Sequence, residues 1–167
     1  MQRSLVKLWL RYWIKKYREP KRWGRRPSLW RVYYRSKTFH IWFRGQNLDT
    51  LKQYIEHNRE TVKYFLRGIY DSDGNNYKCR RIFLVNSNLK LLKYTQYLLK
   101  KYFDIRATGP YIQKKAGSIM MRNGGKFRRK VDVYTLEISR GRDIHMFLSQ
   151  VGFSIREKQL GLPRRRR

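Results

Sequence analysis

The run from Glu60 to Asp73 alternates apolar and polar residues at helical spacing and ends on two aspartates, Asp71 and Asp73, directly before Gly74. The last turn of a helix carries partial negative charge on its free carbonyls, so two carboxylates there are unfavourable. Gly74 reads as the stop, since glycine tolerates the left-handed conformation that follows many helices. Acids placed against this local rule need a compensating cation. A hard divalent ion such as Mg²⁺ takes carboxylate and carbonyl oxygens and keeps several waters. Gly68 and Ser72 lie four apart in the same stretch, hence on one face. Glycine inside a helix costs about 1 kcal/mol against alanine, so a close helix–helix approach is expected there. With one such helix per chain, the partner helix is expected from a second copy.

The charge balance says what such an assembly would meet. Lys and Arg number 41 and Asp and Glu 11, leaving a formal charge of +30. A chain so charged repels itself unless a polyanion neutralises it. Nucleic acid is the first candidate and an anionic membrane surface the second. The 41% hydrophobic and 16% aromatic content distinguishes it from a disordered basic tail and provides for a core. The length of 167 residues suits about one domain. No apolar run reaches the roughly 18 residues of a membrane-spanning helix. Lys7, Arg11, Lys15 and Lys16 interrupt any signal-peptide core. The lone Cys79 excludes a disulfide framework, and His40, His57 and His145 have no ligand spacing. An intracellular, cytoplasmic protein with no membrane partner and no organic cofactor is expected.

Periodicity predicts a helix over residues 4–18, with Leu5, Leu8, Trp9, Tyr12 and Trp13 at three- and four-residue steps. Pro20, Gly24 and Pro27 punctuate a basic loop. Leu29–Arg35 and Phe39–Arg44 read as a hairpin, and a helix follows from Asn47 or Asp49 to about His57. Beyond the helix ending at Asp73, the pattern is a strand over Tyr77–Val85, a polar corner Asn86-Ser87-Asn88, and a helix over Leu89–Tyr102 capped by Asn88. Strands over Tyr111–Lys115 and Val131–Ser139 flank a mobile basic loop, Gly117–Lys130, and a last helix spans Arg142–Val151. The order in residues 4–57 mimics the rear of the order from residue 60 onward. This reads either as a duplicated unit whose first copy lost its front or as chance likeness between basic helices. The expected organisation is an extension over 1–57, a core over 58–160 and a basic tail over 161–167.

The stretch Phe65-Leu66-Arg67-Gly68-Ile69-Tyr70-Asp71-Ser72-Asp73-Gly74 resembles the LAGLIDADG homing-endonuclease motif, with Leu66 to Gly74 filling its nine positions. The basic single-motif form is similar to archaeal members encoded in rRNA introns. The resemblance implies an α+β fold: an antiparallel saddle-shaped sheet lying on DNA, helices on its other face, and a homodimer joined through the motif helix. It implies a Mg²⁺-dependent, site-specific double-strand DNA endonuclease that cuts both strands across the minor groove. On the motif's positions, Asp73 is the catalytic acid and metal ligand, and Ser72 lends its carbonyl. Asp71 is the structural acid, in an interface with Leu66, Gly68, Ser72 and Gly74. Asn86 aligns with a polar residue that orders water, and Lys158 with the basic group near the scissile phosphate, Arg156 being the fallback. The alternative is a catalytically silent relative acting as an intron RNA maturase or a nucleic-acid-binding protein. A basic ribosomal-type structural protein would instead show no sequence preference and no metal dependence.

Sheet alternation suggests the DNA contacts. If Ile82 and Leu84 point to the core, Tyr77, Arg81 and Phe83 face out. If Tyr134, Leu136 and Ile138 point inward, Thr135 and Glu137 face the bases, with Gln113 and Lys115 beside them. A one-residue register slip would invert these sets. Arg25, Arg26, Arg128, Arg129 and the tail arginines Arg164–Arg167 are expected on phosphates. The alternation over Trp30–Arg35 adds Arg31, Tyr33 and Arg35.

Overall fold

Asn58 starts the helix that ends on the two aspartates. Its side chain accepts from the backbone N–H groups of Glu60 and Thr61, and the Thr61 hydroxyl accepts from the Asn58 N–H. This reciprocal cap starts a helix early and defines its direction. A computed structural model describes residues 12–17, 29–34, 36–122 and 125–162. Along the chain these form strands β1 (Tyr12–Tyr17) and β2 (Leu29–Tyr34), then helices α1 (Lys37–Arg44), α2 (Leu48–Ile55) and α3 (Arg59–Asp73). Next come β3 (Gly74–Tyr77), β4 (Arg81–Asn86), α4 (Leu89–Phe103), β5 (Thr108–Lys114), β6 (Ile119–Arg122), β7 (Gly125–Arg128) and β8 (Val133–Ile138). The chain closes with α5 (Gly141–Met146), a π turn over Phe147–Val151 and the short α6 (Arg156–Gln159). It divides into two compact units between Asn47 and Leu48. The helix expected to end the N-terminal extension therefore belongs with the core, and Ile55 is buried in it.

The first unit departs from expectation. Residues 12–17 form a strand where a helix was expected, paired antiparallel with β2 from Tyr12↔Tyr34 to Tyr17↔Leu29. Tyr12, Trp13, Ile14 and Tyr17 are strong strand residues, and a three- and four-residue recurrence of aromatics satisfies both templates. The strand expected over Phe39–Arg44 is helix α1 instead. Ser36 caps it, accepting from the Phe39 N–H at 3.1 Å, and the rings of Phe39 and Phe43 lie 5.9 Å apart, one turn on. The rest of the expected helix over 4–18 lies outside the described residues.

In the second unit four strands form one antiparallel sheet in the order β3-β4-β8-β5. Pairing of Leu84 with Leu136 and Ile82 with Ile138 turns those four side chains to the face covered by helices. Val62, Leu66 and Tyr70 of α3 and Leu92, Leu98 and Leu99 of α4 fill the layer against them, all fully buried. Asn88 caps α4 as expected, accepting from the Leu91 N–H at 3.0 Å. The loop expected over Gly117–Lys130 is a second hairpin, β6 with β7, whose pairing of Met120 with Phe127 uses β-prone residues the basic composition masked. The single strand expected over Tyr77–Val85 is two, β3 and β4, joined by a tight turn. Lys78 and Cys79 stand there with φ of 51° and 52°, the left-handed region that glycine usually fills. The buried Asn76 holds that turn. Its Oδ1 accepts from the Cys79 N–H at 3.0 Å, and its Nδ2 donates to the Lys158 carbonyl at 2.9 Å.

Candidate active site

The C-terminal turn of α3 has a closed side and an open side. On the closed side, Lys158 of α6 is buried, at 5% exposure, and its ammonium donates to the carbonyls of Asp71 (2.6 Å) and Tyr70 (3.1 Å). A cation there satisfies the Asp71 carbonyl, joins the Gly74 N–H on the Tyr70 carbonyl, and opposes the negative end of the helix dipole. Asp71 accepts from the Ser154 N–H with both oxygens, at 3.0 and 3.2 Å. Arg67 Nε donates to the Val151 carbonyl at 2.8 Å and ties the helix to the π turn. Tyr70 packs between Phe147, with centroids 4.6 Å apart, and Phe153, at 6.2 Å edge-on. Burial pushes its phenol far above the ordinary tyrosine range.

Gly74 sits here for a reason other than the one expected. Its φ of −84° and ψ of 162° are extended, so no left-handed residue ends the helix and β3 starts at once. A Cβ at Gly74 would lie 2.6 Å from the Tyr70 carbonyl oxygen and 2.7 Å from its ring. The requirement is for close approach, which only glycine allows.

On the open side, Ser72 and Asp73 are exposed. The Asp73 carboxylate accepts from Asn86 Nδ2 at 2.7 Å. Asn86 Oδ1 in turn accepts from the Asn88 N–H at 2.8 Å, which fixes the amide so that its donor faces Asp73. The end of α3, the end of β4 and the start of α4 thus meet at one carboxylate. Among the described residues no three His, Cys, Asp or Glu side chains gather into a metal cluster. An exposed carboxylate at a helix end fits a hexacoordinate hard cation that draws most of its ligands from water and phosphate.

Residues 60–152 match the family model of the LAGLIDADG-like domain. The chain belongs to the LAGLIDADG family. Two solved structures share the fold. A complex of a glycine-to-serine variant of I-DmoI with its target DNA in the presence of Mg is 20% identical with a TM-score of 0.57, covering 90% of this chain and 68% of the other. A complex of I-DmoI with DNA and Mn is also 20% identical with a TM-score of 0.56, covering 91% and 70%. No curated protein matches. The LAGLIDADG helix is α3, and its acids are the two that the closed and open sides separate.

The structure places the expected site residues as follows. Asp73, Ser72 and Asn86 come together, and Leu66 is buried. Gly68 lies on the outer face of the LAGLIDADG helix, where a Cβ would meet nothing within 4 Å. Lys158 departs from the expectation of a phosphate-side cation. Its ammonium is under the helix end, because α6 folds back against α3; Arg156, two residues earlier, is exposed. On the sheet's open face, Tyr77 and Arg81 are exposed and Phe83 half-buried. Glu137 joins two neighbours, taking Arg81 Nε on one oxygen at 2.8 Å and the Tyr111 hydroxyl on the other at 2.7 Å. The hydrogen bond to Glu137 raises the Tyr111 phenol above its usual value. Thr135 departs from expectation too. It shares that face but is 5% exposed, flanked in register by Val85 and Tyr111, so it offers no hydroxyl to a base. Gln113 is exposed where the β5 register shifts, Lys115 is exposed just past the strand, and Arg128 is exposed on β7. Arg129 is half-buried, donating to Met120 Sδ at 3.7 Å. Arg31 and Tyr33 occupy alternate positions of β2 opposite Lys15 and Trp13. Arg35, Arg25, Arg26 and Arg164–Arg167 lie outside the described residues. Sequence reasoning missed Tyr111, Asn76 and Ser154. For Tyr111 the signal was present, as its place opposite Thr135 follows once β5 and β8 are paired. The other two act through contacts more than 80 residues away, which no local pattern carries.

Proposed function

We propose that the chain is a site-specific double-strand DNA endonuclease of the homing type. The observation that carries this is the contrast within one helix end: Asp73 is the LAGLIDADG carboxylate left exposed, with Asn86 donating to it, while Asp71 is consumed by Ser154. The sheet's open face, with Arg81, Glu137 and Tyr111 linked and Phe83 and Tyr77 beside them, lies in the major groove; the charge of +30 supplies the phosphate contacts. DNA as the partner is also supported by the two I-DmoI structures, which are DNA complexes.

Asp73 and the Ser72 carbonyl would hold the divalent cation, which supplies Lewis-acid polarisation of the phosphate and a nucleophilic hydroxide when bound. Mg²⁺ is the proposed ion. Asn86 holds the Asp73 carboxylate in one orientation and offers its amide to solvent. Lys158 keeps the helix end rigid beneath them, and the exposed Arg156 would be the basic group that meets phosphate. The homodimer forms through the outer face of the LAGLIDADG helix, where Gly68 leaves room for a second helix and Ser72 is exposed. Two such sites at a two-fold axis would cut both strands across the minor groove. The proposed setting is the cytoplasm, as an intron-encoded protein of archaeal type, and among the described residues no helix is long and apolar enough to cross a membrane.

Incubating the protein with a randomised duplex library and Mg²⁺ or Mn²⁺, then sequencing the cut ends, tests the reading. Enrichment of one site with a constant stagger between strands is the expected result. Selective binding without cut ends under either metal would overturn the endonuclease and leave a binding-only relative.

A further inference from the structure

The side of the sheet covered by α4 carries a second charged feature. A cavity of about 740 Å³ opens between the outer face of α4, the segment Ile105–Thr108 and the turn at Ser139–Arg140. Five of its eleven lining residues are Lys or Arg and none is acidic, against 41 in 167 for the whole chain. The lining is therefore richer in cations than the chain as a whole. Lys100 and Lys101 are engaged with Asp104 and Glu56. Lys93, Arg106 and Arg140 form no ion pair among the described residues and are all exposed. Arg106 also acts at longer range on the Asp104 carboxylate; Lys93 and Arg140 line the same concavity without an ion pair, and cations gathered in this way favour an anion between them.

The cavity is built rather than incidental. Gln96 of α4 donates its amide to the carbonyls of Ala107 (2.8 Å) and Gly109 (3.0 Å), fixing the wall opposite the helix. Ile105 is fully buried beneath the cavity, and Tyr97 stands in the lining with 47% of its surface exposed, its ring stacked on Tyr94 at 6.2 Å and the Lys101 ammonium 5.1 Å from its centre, so a base would reach the part of the ring these leave exposed. An apolar floor, an exposed aromatic ring and surrounding cations are the parts that bind an unpaired base together with its flanking phosphates. The volume falls within the roughly 300–1,000 Å³ of small-ligand sites. It admits a splayed nucleotide and not the rod of a duplex.

We propose that this cavity binds a nucleotide of a single-stranded polynucleotide, with the strand's neighbouring phosphates on Lys93, Arg106 and Arg140. The site is separate from the open face of the sheet, because the alternation that turns Leu84, Leu136 and Ile138 toward α4 turns Arg81, Phe83 and Glu137 away from it. It does not depend on cleavage.

The test uses the full chain and labelled oligonucleotides of about ten nucleotides, oligo-U and oligo-dT, titrated by anisotropy at several salt concentrations. Replacing Lys93, Arg106 and Arg140 together by Gln should weaken single-strand binding about tenfold or more and lower the salt slope by about 2, since each lost phosphate contact removes ~0.7. Duplex binding should stay within about threefold, because the duplex is held elsewhere. A charge-matched control, Lys114→Gln with Lys126→Gln and Arg128→Gln, should show the reverse preference. Photocrosslinking of a 5-bromouracil strand should label the peptide containing Tyr97. A tighter oligo-U than oligo-dT would assign a site that reads the 2′-hydroxyl, and equal affinity one that ignores it; both uphold the proposal. Equal losses from the two triple variants, an unchanged salt slope, crosslinks confined to Phe83 and Tyr111, or competition by uridine monophosphate at the same concentration as the strand would overturn it.

Discussion

Asp71 and Asp73 lie two residues apart at the end of one helix, yet they occupy opposite chemical settings. Around Asp71 the donors and acceptors named above are matched: Ser154 N–H on its carboxylate, Lys158 on its carbonyl, and Tyr70 wedged against Gly74 below. Around Asp73 the surface is open and Asn86 is the side chain bonded to it. The difference teaches how a helix end that should repel a carboxylate can present one. The negative dipole end is opposed on the closed side by the buried Lys158 ammonium, so the open side can turn a carboxylate to solvent. Stability and chemistry are divided between two faces of a single turn, and substitutions should separate them.

The largest effect belongs to the open side. Asp73→Asn should lower metal-dependent cleavage about a thousandfold, equivalent to ~4 kcal/mol of barrier, with the melting temperature and duplex affinity little changed; retained cleavage would erase the contrast. Lys158→Met should do the opposite and destabilise by about 3 kcal/mol in urea unfolding, because two buried carbonyls lose a charged donor. Lys158→Arg sharpens the reading, since a larger cation must displace neighbours and should recover part of that loss at most. Gly74→Ala should cost about 2 kcal/mol through its clash with Tyr70, a backbone contact that cannot yield. If Gly74→Ala were neutral, the closed side would be looser than its distances imply.

Acid gives the smallest and most distant contrast. Glu56 is another closed carboxylate, accepting from Tyr94, Tyr102 and Lys101 at 2.9–3.1 Å. Desolvation acts to raise its pKa, but those hydrogen bonds together outweigh it and hold the group below the ordinary carboxylate value. A depressed pKa contributes stability that is present above the unfolded-state value and lost as pH falls through the folded one. Glu56→Gln should therefore flatten the acid limb of the stability profile measured by denaturant titration.

Much of this arrangement could be read from local pattern. The amphipathic period of α3 with its two terminal acids, the Asn88 cap of α4 and the alternation of Ile82 and Leu84 all act within a few residues, so the sequence displays them directly. The errors fall where a short aromatic run satisfies both periods or where a partner is remote. Tyr12–Tyr17 has aromatics at helical steps but gains its ladder from β2, and Phe39–Arg44 looked like a strand until the Ser36 cap is counted. Lys158 shows the limit for the site. Its chemistry as a cation near the motif was legible, but its direction depends on α6 folding under α3, and only the three-dimensional path decides which side of the helix end receives the ammonium.

The turn at Lys78 and Cys79 bears on the order in which the molecule assembles. Two side-chain-bearing residues in left-handed geometry give a poor nucleus for the β3–β4 ribbon. What secures it comes from the far end of the chain: Asn76 bonds the Lys158 carbonyl, and Gly161 (φ 61°) passes so close to the Cys79 nitrogen that a Cβ would sit 2.7 Å away. Closing a loop of that span carries a large entropic penalty before any contact repays it. During synthesis from the ribosome, the ribbon that carries Arg81 and Phe83 would stay unset until residues 158–161 emerge, and the cation beneath Asp71 would arrive in the same event.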